Sequence, residues 1–283
     1  MPEYRQVLAN LIARDLKVKY QSKSLGFAWS LLAPACMLGI LYVIFNNAFR
    51  VATPDYWVFL VAGIIPFQFM SESISAGAQS IRGSAGLIRK VYVPMEILVV
   101  AGITVKAIEF VLQMLLVVAL LAALHHASDD GHFHELPASL TPYVHGPVHF
   151  APLKTLIVIP GAIILSYMFV LGVALPLAAW CVIYKDLDHV ITIVMRVLFY
   201  ATPIFWGIFQ FDGWWTRWAA LNPLANFIAL YRGPLYWGTW PFNEATGGGP
   251  LTAWGIATLF SVVALVVGYA LFNRSKRILA EVV

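Results

Sequence analysis

Charge is what this sequence has least of. Lys, Arg, Asp and Glu make up 11% of its 283 residues, against 60% hydrophobic, whereas a water-soluble domain carries about 25% charged residues. So few charges cannot cover an aqueous surface, and lipid is the solvent this composition demands. Cysteine is almost absent as well. Cys36 and Cys181 both lie inside apolar runs, which argues against a disulfide framework and reads as two small buried apolar side chains. Catalytic signatures are missing as a set: G-x-x-x-x-G-K-[ST], H-E-x-x-H, G-x-S-x-G and Cys-x-x-Cys do not occur. Without a phosphate-binding loop the chain is not an ATPase, and any ATP that drives it must be hydrolysed on another polypeptide. The N-terminus does not read as a secretory signal, because Arg5, Arg14, Lys17, Lys19 and Lys23 interrupt residues 1–23 and leave no apolar core.

What is present is a series of long apolar runs. Crossing the ~30 Å hydrocarbon layer takes about 20 apolar residues in a helix, and such stretches stand near 28–49, 57–80, 97–124, 155–184, 190–211 and 251–272. The expectation is an all-α integral membrane protein of six transmembrane helices in a single domain over 1–283. Ser71, Glu72, Ser73 and Ser75 interrupt the second run, and Arg196 and Pro203 fall in the fifth. With the N-terminus inside, the inner segments hold twelve Lys and Arg and the outer segments four. Basic residues concentrate on the cytoplasmic side, so both termini are placed there. The net charge of +4 then reflects topology and does not point to nucleic acid.

The connections differ in kind. In residues 1–23, Val7, Leu8, Leu11, Ile12 and Leu16 recur at helical spacing, with Arg5, Arg14 and Lys17 off that stripe. The pattern predicts an amphipathic helix in the cytoplasmic interface, its apolar side in membrane lipid; packing on another part of the protein is the plainer alternative. The inner loops 81–96 and 184–189 are short and mix charge with apolar anchors. The outer loop 125–153 is polar and holds six of the seven histidines, without the regular ligand spacing of a metal site, so no metal is expected. Residues 212–249 are too apolar for a solvated loop and too broken by Pro223 and Pro234 for one span. Re-entrant helices before the last span fit that composition.

Five blocks in order carry a family resemblance. LIARDLKVKYQSKSLGFAWSLLAPACML leads into the first span, with Leu25, Gly26, Trp29, Leu32 and Pro34 spaced as LG-x-x-W-x-x-L-x-P. GLIRKVYVPMEIL (Gly86–Leu98), YKDLDHV (Tyr184–Val190), ATPIFW (Ala201–Trp206) and LNPLANFIALYR (Leu221–Arg232) follow. The whole resembles the permease subunit of type-2 ABC exporters of the branch that exports O-antigen, capsule and teichoic acid. The resemblance implies a homodimer in the bacterial inner (plasma) membrane, with one ATP-binding cassette subunit beneath each copy. ATP and Mg would be bound there, and no cofactor by this chain. It also implies that a lipid-linked polysaccharide enters between the first and fifth spans. The two inner loops look like coupling helices: Leu87, Ile88, Arg89, Lys90, Lys185, Asp186, Leu187, Asp188 and His189 would face the ATPase. Segment 212–249 resembles paired re-entrant helices that narrow the outer end.

A polysaccharide pathway calls for flat aromatic surfaces, which accept the C–H faces of sugars while letting them slide. Trp29, Tyr42, Phe67, Phe69, Tyr167, Phe199 and Tyr200 are the candidates; packing between helices or facing lipid is their alternative role. Charges inside a span are costly and mark function or pairing. Lys106 and Glu109, three residues apart, read as a structural ion pair, while Glu72 is left unassigned. Two other functions stay open at this level: export of drugs or lipids by a related permease, and a membrane-embedded transferase, which would need acidic residues or histidines converging at one membrane face.

Overall fold

The computed structural model describes residues 2–21, 28–44, 56–88, 93–127, 156–207, 214–237 and 249–282, and every regular element among them is helical. In chain order these are α1 (Pro2–Gln21), α2 (Ala28–Tyr42), α3 (Tyr56–Gly83), α4 (Ala85–Ile88), α5 (Met95–Ala127), α6 (Ile159–Ile183), α7 (Leu187–Ala201), α8 (Trp214–Leu221), α9 (Pro223–Arg232) and α10 (Pro250–Val282), with a π-helical turn at Gly233–Trp237 after α9. Four of them, α3, α5, α6 and α10, are long and apolar enough to cross a membrane. The chain is therefore a multi-pass membrane protein.

Helix α3 is the axis. In its most apolar window 78% of residues are buried, against 22% for α10, so α3 is wrapped by protein while α10 faces outward. Helices α5 and α6 pack on α3 from one side, α2 and α7 from the other, and α9 wedges between α3, α6 and α10. Phe69 of α3 stacks on Phe110 of α5 with centroids 4.4 Å apart, and Phe110 meets Tyr231 of α9 edge-on at 5.6 Å. The α6–α10 crossing is the closest in the bundle. A Cβ on Gly172 would overlap the backbone of Ala264, and one on Gly268 would overlap the Gly172 carbonyl. Only glycine lets the two backbones approach so closely. Near the start of α5, Glu96 pairs with Lys276 of α10.

One expectation is corrected. The fifth apolar run, 190–211, yields a helix that ends at Ala201. Thr202 precedes Pro203 and takes an extended conformation, φ −94° and ψ 141°, because a residue before proline is pushed out of the helical region. The apolar stripe of α1 is covered in part by protein. Leu11 is buried in a small core with Val93, Leu98 and Ala101, and Val7, Leu8, Ile12, Leu87, Ile88 and Ile97 pack around it. The start of α5 and the loop before it offer α1 an apolar face, and the helix takes it. Cys181 is buried as expected, but Cys36 lies exposed on α2. Residues 128–153 of the histidine-rich loop lie outside the described residues.

Candidate functional site: an open groove and the elements that frame it

The periodicity of α3 places Ile64, Phe67, Gln68, Ser71 and Ser75 along one face, since positions three, four and seven apart align on a helix. That face meets α2 and α7 in an open groove of about 440 Å³. Met37 lines it from α2, and Thr192, Met195, Arg196, Phe199 and Tyr200 line it from α7. Its upper wall is aromatic: Phe67 and Phe199 meet edge to face at 5.4 Å, and Phe199 and Tyr200 at 5.2 Å. Phe199 is buried whereas Tyr200 is 62% exposed, so one ring anchors the wall and the next stands free of it. Below, the hydroxyls of Ser71 and Ser75, the amide of Gln68 and the Arg196 guanidinium face the same space.

Of the candidate pathway residues, Phe67, Phe199 and Tyr200 are thus brought together. The others are placed elsewhere. Phe69, two residues beyond Phe67, points to the opposite side of α3 and is buried on Phe110. Tyr167 joins α6 to α5 through a 2.9 Å hydrogen bond with Thr104. Tyr42 is exposed near the end of α2, outside the groove lining. The Trp29 side chain lies outside the described residues, as do Arg89 and Lys90.

Beneath the groove the two short inner loops meet. Arg82, at the end of α3, donates to the Lys185 carbonyl at 3.1 Å and stands 3.8 Å from the Asp188 carboxylate. Lys185, Asp186 and His189 are exposed, Leu187 and Asp188 half-exposed. Leu87 and Ile88 pack toward α1, so these two apolar anchors hold the loop to that helix.

Between α1, α3 and α5 runs a row of charges. Lys19 donates to both Glu109 oxygens at 2.5 and 2.7 Å, and Tyr20 donates to the same carboxylate. Lys106 lies 3.4 Å from Glu109 and 2.5 Å from Glu72, which also accepts from Gln68 at 2.7 Å. The expected Lys106–Glu109 pair is present, with a second partner on each side. Burial against the bundle pushes the Lys19 ammonium below its ordinary pKa, a shift that the bond to Glu109 opposes.

At the far end of α7, residues 202–207 form no helix and their neighbours satisfy them. Arg232, fully buried, donates to the Pro203 and Ile204 carbonyls at 2.9 and 3.1 Å, its guanidinium 3.8 Å from the Phe59 ring centroid. Tyr56 donates to the Phe205 carbonyl at 2.5 Å and Trp218 to the Ala201 carbonyl at 3.2 Å. Asn222, which caps α9 through Leu224 N at 3.0 Å, gives its amide to Thr202 at 2.9 Å. The broken segment α8–α9 is thereby tied to the end of α7.

No family model matches the sequence. Full-length relatives do exist. The O-antigen export system permease protein RfbA of Klebsiella pneumoniae is 25% identical over 98% of this chain and 94% of its own length, and that of Myxococcus xanthus 25% identical over 99% and 96%. The chain is a relative of the polysaccharide-export permeases. A third relative, the polysialic acid transport protein KpsM of Escherichia coli, is 22% identical over 94% of this chain and 92% of its own. For a permease, the groove and the loops beneath it are the parts that bear on transport. Sequence reasoning passed over Gln68, Thr192 and Met195 as lining residues. The spacing of Gln68 with Ser71 and Ser75 was the available signal.

Proposed function

We propose that this chain is the membrane-spanning subunit of an ATP-driven exporter that carries a lipid-linked polysaccharide across the bacterial inner membrane. The observation that supports this reading best is the make-up of the groove. Sugars present apolar C–H faces and hydroxyl edges, and the groove offers aromatic rings at one level and amide, hydroxyl and guanidinium groups below. It is an open groove and not a closed cavity; a drug or single lipid calls for a closed lipophilic pocket. A transferase would need convergent acidic residues or histidines, and none line this groove among the described residues.

In this reading α2 and α7 are the first and fifth of six spans, and both termini are cytoplasmic. Two copies stand with their grooves facing one another, and the lipid end of the cargo enters between α2 and α7. One ATP-binding subunit docks beneath each copy, holding ATP and Mg, against the paired loops that Arg82 joins. Helices α8 and α9 re-enter from the outer side. The test is deletion and complementation, with surface polymer resolved on gels. Loss of surface polysaccharide with lipid-linked polymer retained inside is the expected result. Normal surface polymer in the deletion strain would overturn the proposal.

A further inference from the structure

Gln68 belongs to two systems at once. Its side chain lines the groove, and its Nε2 donates to Glu72 Oε1 at 2.7 Å. That bond uses one of the two amide hydrogens and fixes the plane of the amide, whose carbonyl oxygen accepts and whose second N–H donates. Glu72 is held in turn by Lys106 at 2.5 Å, Lys106 lies 3.4 Å from Glu109, and Glu109 receives Lys19 and Tyr20 from α1. The row alternates in sign: two carboxylates and two ammoniums, contributed by three helices.

This row is neutral only while α1 is docked. Without Lys19, one ammonium serves two carboxylates, and Glu109, its side chain only 6% exposed, is costly to leave unpaired. Lys106 is the cation within reach of both. Removing Lys19 leaves Glu109 to draw Lys106 toward itself, and what Glu109 gains Glu72 loses. A Glu72 carboxylate that has lost its cation no longer has a fixed orientation, and neither has the amide that donates to it.

We infer that Lys106 is a shared cation through which the docking of α1 fixes the orientation of Gln68. Gln68 then meets the hydroxyls of the cargo as an amide held in one orientation, and Lys19, Lys106 and Glu72 are its positioning residues. The inference rests on the reading of the groove as a polysaccharide pathway. It also gives α1 a task beyond anchorage, because the same helix grips Leu87 and Ile88 of the first inner loop. One helix thus touches both the element that meets the ATPase and the row of charges that ends in the groove.

The test uses the permease reconstituted with its ATP-binding subunit, and purified lipid-linked polysaccharide as the probe. Lys19→Met, Gln68→Ala and the double variant are compared for the polymer concentration that half-saturates ATP hydrolysis and for the maximal rate. Each single variant is expected to raise the half-saturating concentration about tenfold, within the usual range of coupling between sites, with the maximal rate within about twofold. The double variant is expected to match Gln68→Ala alone, and Lys19→Arg to match the parent. Effects that multiply to about a hundredfold would mean that the two residues act independently and would overturn the inference.

A second measurement needs no cargo. Lys19→Met and Glu72→Gln should each lower the melting temperature, and their combination should restore it, because Lys106 and Glu109 remain as a neutral pair. Lys19→Gln serves if the Met variant does not accumulate. Rescue in a permease that ignores polysaccharide supports the row of charges and overturns the cargo reading. Additive losses in a permease that responds to polysaccharide overturn the row and leave the cargo reading standing.

Discussion

Replacing Arg232 by Met tests whether the C-terminal end of α7 is held by side chains or merely rests there. The residue is fully buried, and one guanidinium nitrogen serves the carbonyls of Pro203 and Ile204 at 2.9 and 3.1 Å. Hydrogen bonds from a charged donor contribute about 1.5–3 kcal/mol each, and a desolvated cation over an aromatic face about 2 kcal/mol; Phe59 provides that face at 3.8 Å. The gross loss is roughly 5–8 kcal/mol. Methionine returns part of it, since a buried charge no longer has to be desolvated, a cost of several kcal/mol. A net loss of about 2–4 kcal/mol is expected, which at about 2–4 °C per kcal/mol lowers the melting temperature by about 5–15 °C. Gly63→Ala attacks the same contact from the other side, because its Cβ would stand 2.9 Å from the guanidinium and 3.1 Å from the Ile204 carbonyl; about half the shift is expected. The assay is thermal unfolding of the purified protein in detergent, followed by monodispersity. If both variants melt within about 2 °C of the parent, the clamp does not hold α7 and the energetic argument fails.

Other outcomes follow from the packing. Gly268→Leu and Gly172→Val should abolish accumulation in the membrane, since each side chain would have to occupy the facing backbone; normal levels on immunoblots would refute the close crossing. Phe69→Ala should cost about 3–5 kcal/mol as a large-to-small core change, whereas Tyr200→Ala, on an exposed ring, should leave the protein level unchanged and slow export. Equal levels of the two variants would undo the division of the aromatics into core and groove. Asp186→Asn with Asp188→Asn should leave ATP hydrolysis in the assembled complex and lower export per ATP; the proposed coupling fails if that ratio is unchanged.

The spans were legible because lipid imposes one rule along a whole segment. Twenty apolar residues report a crossing whatever their neighbours, and the predicted runs at 57–80, 97–124, 155–184 and 251–272 became α3, α5, α6 and α10. Helix ends were harder. Pro203 stops α7, although the apolar composition continues past it. Of the candidate aromatics with described side chains, Phe67, Phe199 and Tyr200 line the groove while Tyr42, Phe69 and Tyr167 do not; residues two apart on a helix are about 200° apart, so Phe69 cannot share a wall with Phe67. What the sequence could not supply was partnership at long range. That Glu109 meets Lys19 ninety positions away, or that Arg232 closes on Pro203 and Ile204, depends on how α1, α5, α7 and α9 are arranged in space. The face of α1 was ambiguous for the same reason: an apolar stripe reads alike whether lipid or α5 covers it.

The clamp at residues 202–207 makes the C-terminal end of α7 a fulcrum. The helix is 15 residues long, a lever of about 22 Å, with Asp186 and Asp188 at the opposite end. A push of about 5 Å delivered there tilts α7 by about 13° and moves its midpoint by about 2–3 Å. Thr192 and Arg196 swing farther than Phe199 and Tyr200, which sit beside the pivot. In the proposed exporter, force applied at the Asp186–Asp188 end would widen that end of the groove and leave its ring-lined neck nearly still. On that proposal, cargo would be admitted at one end without loss of the grip at the other.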